Sequence, residues 1–201
     1  SHGTNPATAK MVGYKCKIIP TRSDGLMDAE ALKKCLSKNT VVVMTTNPST
    51  FGVFEKEIGI IVRETHKIGA LMYYDGANMN ALMGKTNPGV MGFDIAHLNV
   101  HKTLGTPHGG GGPGAGPVGV KKFLSKYLYE GFSENPDSCS TNIKLFNGHI
   151  SVLIRAYCYV RSMGARGLKK ASEDAVLNSN YLRTKLKKTL PAVFDKTSLH
   201  D

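Results

Sequence analysis

The sequence has 201 residues, of which 41% are hydrophobic and 20% charged, a balance that is ordinary for a globular protein of one domain or slightly more. No apolar run reaches the roughly 18 residues that a membrane-spanning helix needs, so we expect no membrane partner. The net charge is +11, but no nucleic-acid-binding motif accompanies it, and we expect no nucleic-acid partner either.

The cysteines and the first residues bear on the compartment. Cys16, Cys35, Cys139 and Cys158 have neither C-x-x-C nor zinc-site spacing, which predicts reduced thiols and no metal site. No signal peptide is visible, and residues 1–6 are typical of the middle of a domain, so we expect the chain to be part of a longer protein. We predict a cytoplasmic location in a bacterium, or the mitochondrial matrix in a eukaryote.

The predicted elements of the first part alternate between strands and helices. Continuous apolar runs predict the buried strands, and apolar residues at helical spacing predict the helices. Asp28 is the expected N-cap of one helix, and another ends at Gly69. In chain order we predict a strand over 14–19, a helix over 28–36, a strand over 41–45, a helix over 54–68, and strands over 70–74, 94–99 and 117–120.

The second part is different in character. Residues 134–141 are polar and rich in turn formers, and helices are predicted over 150–162 and 167–188. We therefore predict a ligand-binding domain over 1–130, a linker over 131–142, and a helical portion over 143–201 that begins a smaller C-terminal domain.

The alternation predicts an α/β fold with a mainly parallel sheet and helices on both faces. Ligands bind to such sheets outside the carboxyl ends of the strands. Polar motifs follow three predicted strands there, at residues 46–48, 75–78 and 101–103. Asn47, Asp75 and Lys102 are spaced at close to the roughly 30 residues of one strand–helix–strand unit, so we group them into one site.

The residue types in this group suit carbonyl and ring chemistry. Removal of the Lys102 amine from water would favour its neutral form, which forms Schiff bases, although a lone lysine is usually an ordinary surface residue. Asp75 ends a buried strand and needs a cationic partner, such as a protonated pyridine nitrogen, unless it caps the following turn. Thr46 or Asn47 suits a phenolate oxygen, or else simple turn chemistry. His2 suits stacking on an aromatic ring, or plain exposure.

The order of Asn47, Asp75 and Lys102 resembles that of fold-type-I pyridoxal-phosphate enzymes. Longer strings resemble one family, the glycine-decarboxylating P protein of the glycine cleavage system, an oxidoreductase. These strings are residues 1–9, 75–81, 97–103, 106–114 and 155–182, and together they extend over essentially the whole chain. The form of residues 46–48 resembles the lysine-bearing subunit of the two-subunit version. The fold that this resemblance implies is the large domain of a fold-type-I transferase.

The resemblance implies a role for each residue of the site. Pyridoxal 5'-phosphate would be bound covalently by Lys102, and its ring nitrogen would pair with Asp75. The other implied cofactor-binding residues are His2 stacked on the ring, Ala77 beneath it, Thr46 or Asn47 near the ring oxygen, and Asn78 from the same motif as Asp75. His101 is implied for proton transfer or phosphate contact.

The resemblance also implies an activity and partners. Glycine would lose its carboxylate, and the aminomethyl group would pass to the lipoyl arm of the H protein, beside a partner P-protein subunit. Residues 108–114 would cradle an anion or form a mobile lid. The alternatives are another fold-type-I decarboxylase or aminotransferase, a non-catalytic structural subunit, or a chain that is inactive because the family's phosphate-binding loop lies upstream of His2.

Overall fold

The computed structural model of the protein describes residues 2–110, 114–128, 148–194 and 196–199. Five α-helices and four strands form the described part. The helices are α1 (Thr4–Met11), α2 (Ala29–Cys35), α3 (Ile58–Lys67), α4 (Val100–Thr103) and α5 (Ile150–Leu186). The strands are β1 (Val42–Thr46), β2 (Leu71–Gly76), β3 (Ile95–Leu98) and β4 (Val118–Val120), and 3₁₀ turns cover Met79–Ala81 and Lys122–Tyr127.

The strands form one sheet in the order β1-β2-β3-β4. β1, β2 and β3 are parallel, with Thr46 opposite Asp75 and Asp75 opposite His97, whereas β4 is antiparallel to β3. The carboxyl ends of the three parallel strands therefore meet at one edge, which we call the carboxyl edge. The predicted α/β fold with a mainly parallel sheet is confirmed.

The core lies on β2 and the helix before it. Met72 and Tyr74 of β2 and Ile61 of α3 are completely buried. Because side chains alternate along a strand, Tyr73 and Asp75 face the other side of the sheet from Met72 and Tyr74. The core thus fixes one face of β2 and leaves the other for polar groups.

Most of the predicted elements are confirmed, with shifted ends. Asp28 caps α2 as expected, since its carboxylate accepts from the backbone N–H groups of Glu30 and Ala31. Helix α3 begins later than predicted, at Ile58, because the buried Glu55 carboxylate instead accepts from the backbone N–H groups of Met27 and Glu57.

The predicted strand over 14–19 is wrong. Residues 14–20 form no strand in the described structure, and Ile18 is 89% exposed. The segment has the alternating apolar pattern of a strand, but the nearest pairing is a single bridge between Thr21 and Met27. A pattern without a sheet neighbour does not make a strand.

The long helix α5 corresponds to the two helices predicted over 150–162 and 167–188. Gly164 interrupts it with a φ of 58° and a ψ of −179°, a conformation that a residue with a side chain rarely adopts. The predicted linker over 131–142 lies outside the described residues, so the domain bounds stay predictions. No helix in the described part of the chain has the length and apolar character to cross a membrane.

Candidate active site

Asp75 is the centre of the polar cluster at the carboxyl edge. Its side chain is almost fully buried, and both carboxylate oxygens accept hydrogen bonds. Oδ2 accepts from Asn5 Nδ2 at 2.7 Å and from Thr46 Oγ1 at 3.1 Å. Oδ1 accepts from the Ala77 backbone N–H at 3.0 Å and lies 3.1 Å from His97 Nε2. Donors from four separate segments therefore converge on one carboxylate.

These donors decide the charge of Asp75. Burial by itself raises the pKa of a carboxylate because it disfavours the charged form. The bonds from His97, Asn5 and Ala77 outweigh burial and lower the pKa of Asp75 well below its ordinary range. The side chain is therefore an anion at neutral pH, at the position where the sequence predicted a carboxylate for a cationic ring nitrogen.

His97 and Asn5 are functional candidates that the sequence reasoning missed. His97 follows from the strand register, which places it directly opposite Asp75, and its Nδ1 lies 2.9 Å from the Tyr73 hydroxyl. Asn5 lies in the first turn of α1 and reaches Asp75 across 70 residues of sequence. The only sequence signal for His97 was its place within the predicted strand over 94–99.

The predicted residues Asn47 and Asn78 have partners within the loops that follow β1 and β2. Asn47 is completely buried, and its Oδ1 accepts from the Glu55 backbone N–H at 2.9 Å. Asn78 Nδ2 donates to the Pro48 carbonyl at 3.0 Å. The first bond lies within the loop after β1, and the second joins that loop to the one after β2. Contact of either asparagine with a cofactor stays a prediction.

Lys102 lies on the short helix α4, directly after β3. Val100 and Thr103 are the buried residues of this helix, and Thr103 Oγ1 donates to Asn80 Oδ1 at 2.8 Å. Lys102 is exposed, which differs from the expected removal of its amine from water. The reason is the helical geometry, which turns Val100 and Thr103 inward and leaves Lys102 on the outer side.

His101 lies against the start of the glycine-rich loop. Its ring meets that of His108 edge to face, with centroids 4.6 Å apart. Burial, together with the neighbouring His108 and Lys102, lowers the pKa of His101, so its imidazole is neutral at pH 7. Among the described residues, Asn99 Oδ1 and Thr106 Oγ1 are buried on either side of α4 without a hydrogen-bond partner.

His2 and Ala77, the remaining predicted residues, flank the same cluster. His2 is exposed, and its Nδ1 accepts from the Thr4 backbone N–H at 3.1 Å. It stands three positions before Asn5, so the start of α1 borders Asp75. Ala77 touches Asp75 through its backbone N–H. The structure thus brings Thr46, Asp75 and Ala77 into one cluster and places α4 with Lys102 on the adjoining loop.

A buried anionic carboxylate at the end of β2 and a lysine just after β3, the next parallel strand, are features of a class of protein that the comparisons identify. The aminotransferase class-V family model matches residues 4–111, and the chain belongs to that family. Solved structures agree on the fold. A complex of SepCysS with the N-terminal domain of SepCysE has a TM-score of 0.77 at 15% identity, over all of this chain and 54% of that one. Mouse CSAD has a TM-score of 0.69 at 17% identity, over 96% and 45%.

Curated relatives are more specific. A protein of Fervidobacterium nodosum is 48% identical over all of this chain and 44% of its own length. One of Francisella tularensis subsp. tularensis is 52% identical over 93% of this chain and 41% of its own. Both carry the name probable glycine dehydrogenase (decarboxylating) subunit 2. The resemblance to the lysine-bearing P-protein subunit is confirmed, and the chain spans less than half the length of these relatives.

Proposed function

We propose that this chain supplies the lysine-bearing part of a pyridoxal-phosphate-dependent glycine decarboxylase. The observation that carries the proposal is Asp75, a buried carboxylate held anionic by an amide, a hydroxyl, an imidazole and a backbone N–H. A buried anion of this kind is costly unless a cation completes it. The names of the curated relatives supply the substrate, glycine.

The residues of the cluster fit pyridoxal phosphate. The carboxylate of Asp75 suits a protonated pyridine nitrogen, and the exposed side chain of Lys102 is accessible to the aldehyde of the cofactor. The unpartnered oxygens of Asn99 and Thr106 offer further polar contacts beside Lys102. When bound, pyridoxal phosphate supplies a sink for the electron pair that glycine retains as its carboxylate leaves.

The chain's own side chains then have distinct tasks. Asp75 holds a proton on the ring nitrogen, and Thr46 and Asn5 keep its carboxylate in place. Lys102 binds the cofactor covalently. His101 is neutral at pH 7 and therefore suits acceptance of a proton beside Lys102. His2, just before α1, would stack on the ring.

The same proposal includes the partners. The aminomethyl group passes to the lipoyl arm of an H protein, and the word subunit in the relatives' name supports a second P-protein subunit. The net charge of +11 suits docking of an acidic carrier. The named relatives come from bacteria, which supports a cytoplasmic location.

The first test is the visible absorbance of the 201-residue chain after addition of pyridoxal phosphate. We expect the band of a lysine-bound cofactor in the parent and in Lys67→Ala, which removes an exposed lysine of α3, and its loss in Lys102→Ala. Glycine-dependent exchange of labelled bicarbonate, with the partner subunit and lipoylated H protein added, then tests the substrate. An unchanged band in Lys102→Ala would contradict the covalent role.

A further inference from the structure

Three polar side chains form a line along one face of the sheet. Tyr73 and Asp75 are two positions apart on β2 and share a face, and His97 lies opposite Asp75 on β3. The Tyr73 hydroxyl is 2.9 Å from His97 Nδ1, and His97 Nε2 is 3.1 Å from Asp75 Oδ1. His97 therefore bridges Tyr73 and Asp75 with both ring nitrogens.

The groups at the two ends of this line bear on where the imidazole carries its proton. An ionised carboxylate only accepts hydrogen bonds, so the Nε2 that faces Asp75 carries a hydrogen. Burial and the nearby Asp75 raise the pKa of Tyr73, so its hydroxyl keeps its proton and is able to donate to His97 Nδ1. If the hydroxyl donates, His97 Nδ1 accepts this bond and the ring carries its hydrogen on Nε2 alone.

We propose that His97 is a positioning residue for the cofactor, which presents a neutral Nε2–H to Asp75 while Tyr73 holds that tautomer in place. The inference rests on the proposed function, because its purpose is to orient the carboxylate that meets the ring nitrogen.

A neutral donor is better suited to this task than a cation. The Oδ1 atom of Asp75 has two donors, His97 and the Ala77 backbone N–H, which fix the rotation of the carboxylate. Since a neutral imidazole adds a hydrogen bond without cancelling the charge, the full negative charge of Asp75 remains for the proton on the ring nitrogen. A lysine or arginine in the place of His97 would compete with the ring for that charge.

The first experiment needs no cofactor. The 201-residue chain is labelled with ¹⁵N-histidine, and the ring nitrogens are observed by NMR at neutral pH, with His97 assigned by the signal that disappears in His97→Gln. We expect hydrogen on Nε2 and an unprotonated, hydrogen-bonded Nδ1 whose shift changes in Tyr73→Phe. Hydrogen on Nδ1, or on both nitrogens, would overturn the proposal.

The second experiment compares two replacements by titration with pyridoxal phosphate. His97→Gln places an amide N–H near the position of Nε2, whereas His97→Leu removes the donor. We expect the Kd of His97→Gln for pyridoxal phosphate to stay within about threefold of the parent value. The Kd of His97→Leu should rise about tenfold or more. An equal rise in both, with parent-like circular dichroism, would mean a purely structural role and overturn the proposal.

The two experiments separate the inference from the proposed function. If the parent shows no cofactor band at all, the proposed function fails for this chain, and the NMR tautomer still decides the arrangement of Tyr73, His97 and Asp75. If the band forms but His97 carries its hydrogen on Nδ1, the proposed function stands and the positioning role of His97 is overturned.

Discussion

Two buried aspartates lie at opposite ends of the sheet and have different partners. Asp75 at the carboxyl edge is bonded by uncharged donors and a histidine, whereas Asp94 precedes β3 at the other edge and has a lysine. Asp94 Oδ1 lies 3.0 Å from Lys121 Nζ, and Oδ2 accepts from the Met72 N–H at 2.8 Å and meets His66 Nε2 at 2.7 Å. The Asp94 carboxylate therefore already has a cationic partner within the protein, and its role is structural.

Asp94→Asn tests this structural role through the free energy of unfolding and its dependence on pH. Burial raises the pKa of Asp94, but the Met72 N–H, His66 and Lys121 outweigh it, and the pKa is lowered. A lowered pKa stabilises the fold at pH above the unfolded value of about 3.9, and this contribution is lost as the pH falls below it. We expect Asp94→Asn to reduce the free energy of unfolding by about 1–3 kcal/mol at pH 7.

Urea unfolding at several pH values measures the effect. The difference between parent and Asp94→Asn should shrink below about pH 4, where the parent carboxylate also protonates. Asp174→Asn is the matched control, because Asp174 makes a half-exposed pair with Lys170 on α5 and should change stability by less than about 1 kcal/mol. A pH-independent difference would contradict the ionic role of Asp94.

At the level of the elements, the close pairing of β2 and β3 depends on Gly76. A Cβ atom added there would lie 2.1 Å from the His97 carbonyl oxygen and 2.8 Å from the Leu98 side chain. The backbone of His97 cannot retreat without moving its ring from Asp75. Gly76 therefore sets the distance between the two strands that carry the site.

Gly76→Ala should separate these strands. We expect a loss of about 1–3 kcal/mol in the free energy of unfolding, as for other overpacked interiors. Gly59→Ala is the control, since Gly59 lies in α3 with open space around it and alanine favours helices, so stability should be unchanged or slightly higher. Thermal unfolding of both variants measures this, and equal behaviour would refute the close contact as the cause.

The elements also show how far sequence patterns reach. The apolar runs over 41–45 and 70–74 became β1 and β2, because a strand buried on both faces needs little beyond its own composition. The direction of β4 was not predictable from its three residues, since the pattern of a short strand is the same in both directions. The strand expected over 14–19 does not form, because this segment has no neighbouring strand with which to pair.

The site was predictable where it follows from strand ends and not where it follows from register. Thr46 and Asp75 end their strands, so their meeting at one edge followed from a parallel sheet. The pairing of His97 with Asp75 depends on a register that the sequence does not specify. Asn5 reaches Asp75 only through tertiary packing of α1, for which the sequence carries no local signal.

At the scale of the whole molecule, α5 is connected to the lysine-bearing helix. Ser172 of α5 is buried and donates from Oγ to the Asn80 carbonyl. Asn80 Oδ1 in turn accepts from Thr103 of α4. The end of the chain also returns to the sheet domain, where the Leu199 N–H donates to the Gly52 carbonyl at 2.8 Å. The two parts of the described chain are thus joined next to the site.

Ser172→Ala should loosen this connection without unfolding the protein. Loss of the hydroxyl removes its hydrogen bond to the carbonyl of the half-buried Asn80, at a cost of about 1 kcal/mol. We expect faster amide hydrogen exchange over residues 79–82 and 100–104, measured by mass spectrometry. Ser162→Ala, at an exposed position of the same helix, is the control and should leave both segments unchanged. Faster exchange in both variants would point to a general effect on α5.

The antiparallel direction of β4 has a consequence for the loop that carries Lys102. The chain leaves β3 at Leu98 and rejoins the sheet at Pro117, whose carbonyl accepts from the Leu98 N–H at 3.0 Å. The loop that carries Lys102 and the glycine-rich stretch therefore begins and ends at the same place in the sheet. Doubling the length of such a loop costs only about 0.6 kcal/mol in closure entropy. We therefore expect a lengthening of this loop to cost little stability, because both of its ends are fixed to the same place in the sheet.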